Sequence, residues 1–125
     1  RQYDVLEAKT SNKLLFLQAG SYNSKDNIEN DMIKVKNYIL EENNGIYNTY
    51  VGITSSKENF EKLKSYYTSL GLNITLKEKS IYDDSFNDYV NKYDAILSDT
   101  DEQKVMNLIS TKIISKYKDL INGQN

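Results

Sequence analysis

The apolar positions follow two different spacings in alternating segments. Leu14 to Ala19 is a short apolar stretch bounded by polar residues, and Ile46 to Val51 is rich in β-branched and aromatic residues, so both predict strands. Between and after them the spacing becomes helical. Ile28, Met32 and Val35 predict a first helix that ends near Val35, and Phe60, Leu63, Tyr67 and Leu70 predict a second, stopped by Gly71. Tyr38 to Gly45 reads as a strand entering an Asn44-Gly45 hairpin turn, which pairs about Asn37–Glu42 with Ile46–Ile53. Leu72–Lys77 supplies a last strand. Beyond Lys79, Phe86, Tyr89, Val90, Tyr93 and Leu97 mark one more helix, and Val105, Leu108, Ile109, Ile113, Tyr117 and Leu120 another; each must bury its apolar stripe somewhere.

The chain also repeats itself. Ala19-Gly-Ser-Tyr-Asn-Ser-Lys-Asp-Asn-Ile-Glu29 recurs as Val51-Gly-Ile-Thr-Ser-Ser-Lys-Glu-Asn-Phe-Glu61, with Gly20 matching Gly52, Ser24 matching Ser56 and Lys25 matching Lys57. Each copy reads as a strand, an exit turn with glycine and a helix start. Ser24 and Ser56 are placed to cap, and Asp26 and Glu58 to meet the positive end of the helix dipole. The expected fold is therefore α+β: a βαββαβ, ferredoxin/RNP-like four-stranded antiparallel sheet with two helices on one face, plus a C-terminal helical extension. Residues 1–13 read as a polar linker, 14–79 as the core, and 80–125 as helices packed on it.

Composition narrows the chemistry. At 125 residues there is material for one core. With 16 basic and 18 acidic residues the net charge is -2, which gives no field that favours nucleic acid, and the strands lack the aromatic and basic motif of RNA-binding sheets. His and Cys are both absent, which removes the usual nucleophile–base pairs, disulfides and common zinc sites. Adjacent Glu41 and Glu42 point to opposite faces of a strand and make no facing carboxylate pair. Asp83-Asp84 and Asp99 to Glu102 lack the spacing of a calcium loop and sit where helices begin, so they read as caps. No enzyme activity and no cofactor are expected. No apolar run is long enough to span a bilayer, so this fragment is expected not to insert in a membrane.

Gln18-Ala-Gly-Ser-Tyr22 at the end of the first strand, and Val51-Gly52 at the end of the third, resemble the SPOR domain, the sporulation-related repeat of bacterial cell-envelope proteins. The likeness spans roughly Leu14 to Lys79. It implies a non-catalytic module that binds peptidoglycan glycan strands along the open sheet face, in company with division or sporulation proteins. The location implied is extracytoplasmic, tethered through a segment outside these residues. On that reading the ligand side carries Phe16, Gln18, Ile46, Asn48 and Tyr50, with Ser21 at the rim. Ile46 and Asn48 stand where members often carry an aromatic and a basic residue, and Ile53 replaces a frequent proline. The apolar stripes of the last two helices allow another arrangement, in which they cover Phe16 and Tyr50 and the chain is a protein-interaction or structural module.

Overall fold

A computed structural model describes residues 13–123. The expected linker, apart from Lys13, lies outside them. The described chain runs β1 (Lys13–Tyr22), α1 (Ile28–Asp31), β2 (Ile39–Asn43), β3 (Ile46–Thr54), α2 (Lys57–Ser69), β4 (Thr75–Ser80), α3 (Asp84–Ser98) and α4 (Gln103–Asn122). It is an α+β structure whose four strands form one antiparallel sheet in the order β2-β3-β1-β4.

Local chemistry explains most of the boundaries. Asn44 and Gly45 both take positive φ, 53° and 81°, which a two-residue hairpin turn of the primed type requires. In α2 the Ser56 hydroxyl accepts from the Asn59 amide at 3.1 Å, and Gly71, at φ 92°, ends the helix with a backbone that a β-carbon would strain. Asp83 caps α3 in the same way, accepting from the Phe86 amide at 2.8 Å. Three expectations need correction. The first helix is a single turn at Ile28–Asp31: Ser24 accepts only from the Asp26 amide, at 3.4 Å, and caps nothing. Ile28, Met32 and Val35 are nonetheless buried, so the helical spacing marks a core contact made by turns rather than by a long helix. The last strand begins at Thr75 instead of Leu72.

Strand register sorts the side chains. Phe16 pairs with Ile53 and Gln18 with Tyr50, so Val51 is extra on β3; Gly20 pairs with Thr49, so Ala19 is extra on β1. Ile39 pairs with Tyr50 and Glu41 with Asn48, while Lys79 pairs with Leu14. Leu14, Phe16, Gln18, Asn48, Tyr50, Glu41 and Lys79 consequently share one face. The expectation of an open face is corrected here. Tyr117 of α4 sets its ring against Phe16, with centroids 5.2 Å apart, and Phe86 of α3 lies 5.5 Å from Tyr117.

Two polar junctions fix this cover. β2 begins level with Tyr50, so the chain just before it is free to turn outward. There the Asn37 amide nitrogen donates to the Thr111 carbonyl at 3.2 Å and to Ser115 at 2.7 Å, while Lys118 donates to the Asn37 oxygen at 2.5 Å. At the other junction buried Asp94 of α3 accepts from the Thr54 hydroxyl, the Ser55 amide and hydroxyl, and the Asn59 amide nitrogen. Lys62 of α2 donates to the Leu97 and Thr100 carbonyls at 2.9 and 2.8 Å, occupying acceptors that a helix end leaves free.

Candidate functional site

The strand periodicity that singles out the Phe16–Tyr50 side of the sheet brings together residues of all four strands and one helix. Phe16 and Tyr50 meet edge to face, with centroids 5.5 Å apart at 83°, and neither keeps any exposed surface. The Lys79 ammonium lies 5.2 Å from the Phe16 centroid and 4.8 Å from that of Tyr50, and it pairs with the Glu41 carboxylate. Glu41 also accepts from the Tyr50 hydroxyl at 3.3 Å. Burial, and then the Glu41 charge, push the ionisation of Tyr50 well above the usual tyrosine range; Tyr117 is raised by the same two causes.

The arrangement is a closed, internally satisfied cluster. A pyranose ring needs a bare aromatic face to stack on, and the chain's own Lys79 and Tyr117 occupy the rings that sequence assigned to a ligand. Phe16 and Tyr50 are thus corrected from ligand contacts to core residues. The other four candidates sit differently. Gln18 and Asn48 are half-buried, and the Gln18 amide donates to the Asn48 oxygen at 3.4 Å; Ser21 and Ile46 are exposed toward the hairpin end. Ser21 pairs with Asn48 in the register, so these residues are neighbours along the part of β1 and β3 farthest from Phe16.

In sequence Lys79 carries no mark, Glu41 enters only as half of a carboxylate pair, and Tyr117 only as part of a helical apolar stripe. The first two lie on alternating strand positions, but only the register brings them to one face, and Tyr117 arrives from a helix about a hundred residues after β1 begins. Two recesses flank the cover. One, of about 480 Å³, lies between the Lys36–Leu40 segment and the end of α4 at Lys118, Ile121 and Asn122. The other, of about 260 Å³, lies between Ser80–Asp83 and Tyr117, Leu120 and Ile121. Among the described residues no cluster of three or more His, Cys, Asp or Glu could hold a metal, and no helix is long and apolar enough to cross a membrane.

Comparison with protein-family models, with curated proteins and with solved structures gives no match, so the site is read on its own geometry.

Proposed function

We propose that the chain is a non-catalytic protein-interaction module: a SPOR-like βαββαβ core whose sheet face is taken up by its own C-terminal helices, leaving their outer surface to meet a partner. The observation that carries this reading is the complete burial of Phe16 and Tyr50, with Tyr117 set against Phe16 and Lys79 over Tyr50. The strand order β2-β3-β1-β4 supports the ferredoxin-like core. The lack of His and Cys supports binding over catalysis.

Glycan-strand binding is the competing reading, and with it an extracytoplasmic, tethered location. It draws on the stretch that α4 leaves accessible, where Gln18 and Asn48 offer amide groups and Ser21 a hydroxyl to N-acetyl and hydroxyl groups of a sugar chain. Co-sedimentation with purified peptidoglycan, before and after an amidase strips the stem peptides, separates the two. The proposed module stays in the supernatant with both preparations. Pelleting that is lost in a Gln18→Ala/Asn48→Ala variant of unchanged thermal stability establishes glycan binding and overturns the closed-sheet module.

A further inference from the structure

The last two helices form an antiparallel pair joined by a short connection, and their register follows from two contacts: the Phe86 ring of α3 lies 5.5 Å from that of Tyr117 in α4, and the Lys116 ammonium stands 5.3 Å over the ring of Tyr89. One turn along each helix, in opposite directions, brings Tyr93 level with Lys112, and another brings the Ile96–Leu97 turn level with Leu108. Tyr89, Tyr93 and Ile96 recur at i, i+4 and i+7 on α3, while Leu108, Lys112 and Lys116 recur every fourth residue on α4. They make a stripe about 12 Å long.

Leu97 beneath this stripe is fully buried, but the stripe itself is not. Leu108 is 54% exposed and Ile96 45%, and the tilted pair Tyr89 and Tyr93, with centroids 4.8 Å apart, is half-buried. Three cations border it. Lys116 lies over Tyr89 and Lys92 over Tyr93 at 5.7 Å, and Lys112 is exposed between them. None of the three is in an ion pair among the described residues, whose ion pairs are Lys62–Asp101 and Lys79–Glu41. Acidic groups lie beyond its two ends, Asp88 and Asp119 at one and the exposed Asp99, Asp101 and Glu102 of the α3–α4 connection at the other, where Asp101 pairs with Lys62. The middle of this apolar, tyrosine-bearing strip thus carries three lysines that are in no ion pair among the described residues.

We infer that the Tyr89–Ile96/Leu108–Lys116 stripe docks an acidic amphipathic helix of a protein partner, which would complete a three-helix layer with apolar residues against Tyr93, Ile96 and Leu108 and carboxylates against Lys92, Lys112 and Lys116. This rests on the interaction-module reading and gives its partner a chemistry. Two antiparallel helices present a shallow groove that accepts a third helix at the usual interaxial spacing, and opposite charge along the rim sets orientation and on-rate.

The test uses the isotope-labelled protein and three probes followed by amide NMR: a synthetic helical peptide with Leu at i, i+3, i+4 and i+7 and Glu elsewhere, the same peptide with Lys in place of Glu, and vesicles of phosphatidylglycerol in phosphatidylcholine. The Glu peptide is expected to shift the signals of Tyr89–Ile96 and Leu108–Lys116, with affinity about tenfold weaker in Lys112→Glu/Lys116→Glu and further reduced by salt. Both lysines are exposed, so that variant keeps its fold. A Leu108→Ser variant tests the apolar half of the stripe and is expected to weaken binding without changing its salt dependence. Equal shifts with the Lys peptide, shifts confined to other residues, or binding to vesicles but not to the Glu peptide would overturn the inference. Each of these leaves the closed sheet untouched, whereas peptidoglycan pelleting through Gln18 and Asn48 would remove the module reading itself.

Discussion

Asp94 and Thr54, forty residues apart, meet in the interior at 2.5 Å, and the same carboxylate accepts from the next residue's amide and hydroxyl and from Asn59. One side chain thereby joins the end of β3, the start of α2 and the middle of α3. At this junction the sheet and the hairpin that covers it share one buried acceptor, and the energetics of losing it are asymmetric, because its buried donors on Thr54 and Asn59 stay behind without water.

Asp94→Ala is accordingly expected to lower stability by about 3 kcal/mol, the combined effect of unpaired buried donors and lost charge-assisted bonds. Asp94→Asn, which keeps one acceptor and loses the charge, should fall between that variant and the wild type. Urea unfolding followed by circular dichroism measures both, and an Asp94→Ala midpoint equal to that of the wild type would remove Asp94 as the junction.

The two glycines of the repeat are expected to respond differently. A β-carbon on Gly52 would stand 3.3 Å from a Leu17 methyl, 3.6 Å from Leu63 and 3.8 Å from the Ser110 hydroxyl oxygen, where sheet, α2 and α4 converge. Gly52→Val therefore overpacks the core, at a cost of roughly 1–3 kcal/mol. On Gly20 the β-carbon would meet only the far end of the Tyr22 ring, at 2.6 Å. That ring can swing away, giving up its 3.1 Å bond to Asp31, so Gly20→Ala should cost under about 1 kcal/mol. Thermal melts of the two variants check the contrast.

Alkaline pH is expected to destabilise the fold through its buried tyrosines. Burial pushes Tyr67 up to about 12, whereas in the unfolded chain it ionises near 10. The raised folded value means that this contribution to stability is complete below pH 10 and is lost as pH rises from 10 through about 12, because the unfolded state releases its proton first. Tyr50 and Tyr117 are shifted in the same direction and add to the slope. Stability by urea titration should be flat from pH 8 to 9.5 and fall steeply above 10, and Tyr67→Phe should flatten that fall.

How much of this was legible in the residues depended on the range of the forces involved. The Asn44-Gly45 turn and the Ser56 and Asp83 caps are decided by dihedral preference and bonds within three residues, so sequence carried them whole. The repeat misled at Ser24: likeness to Ser56 fixed the expectation of a cap, yet the segment after it folds as one helical turn, and Asn37 beyond it is held by α4. The extra residues Val51 and Ala19 leave no mark in an alternating pattern. For the candidate site, alternation showed which side chains share a face. It could not show that the face is roofed, because Tyr117 and Phe16 are joined only by packing across most of the chain's length.

That roof has a consequence during synthesis. A chain made from its N-terminus completes all four strands by Ser80, while Tyr117 is still thirty-seven residues from being added. Until it is, the greasy side of a nearly finished sheet is wet, and the nascent protein is at its most adhesive just before the last helix leaves the ribosome.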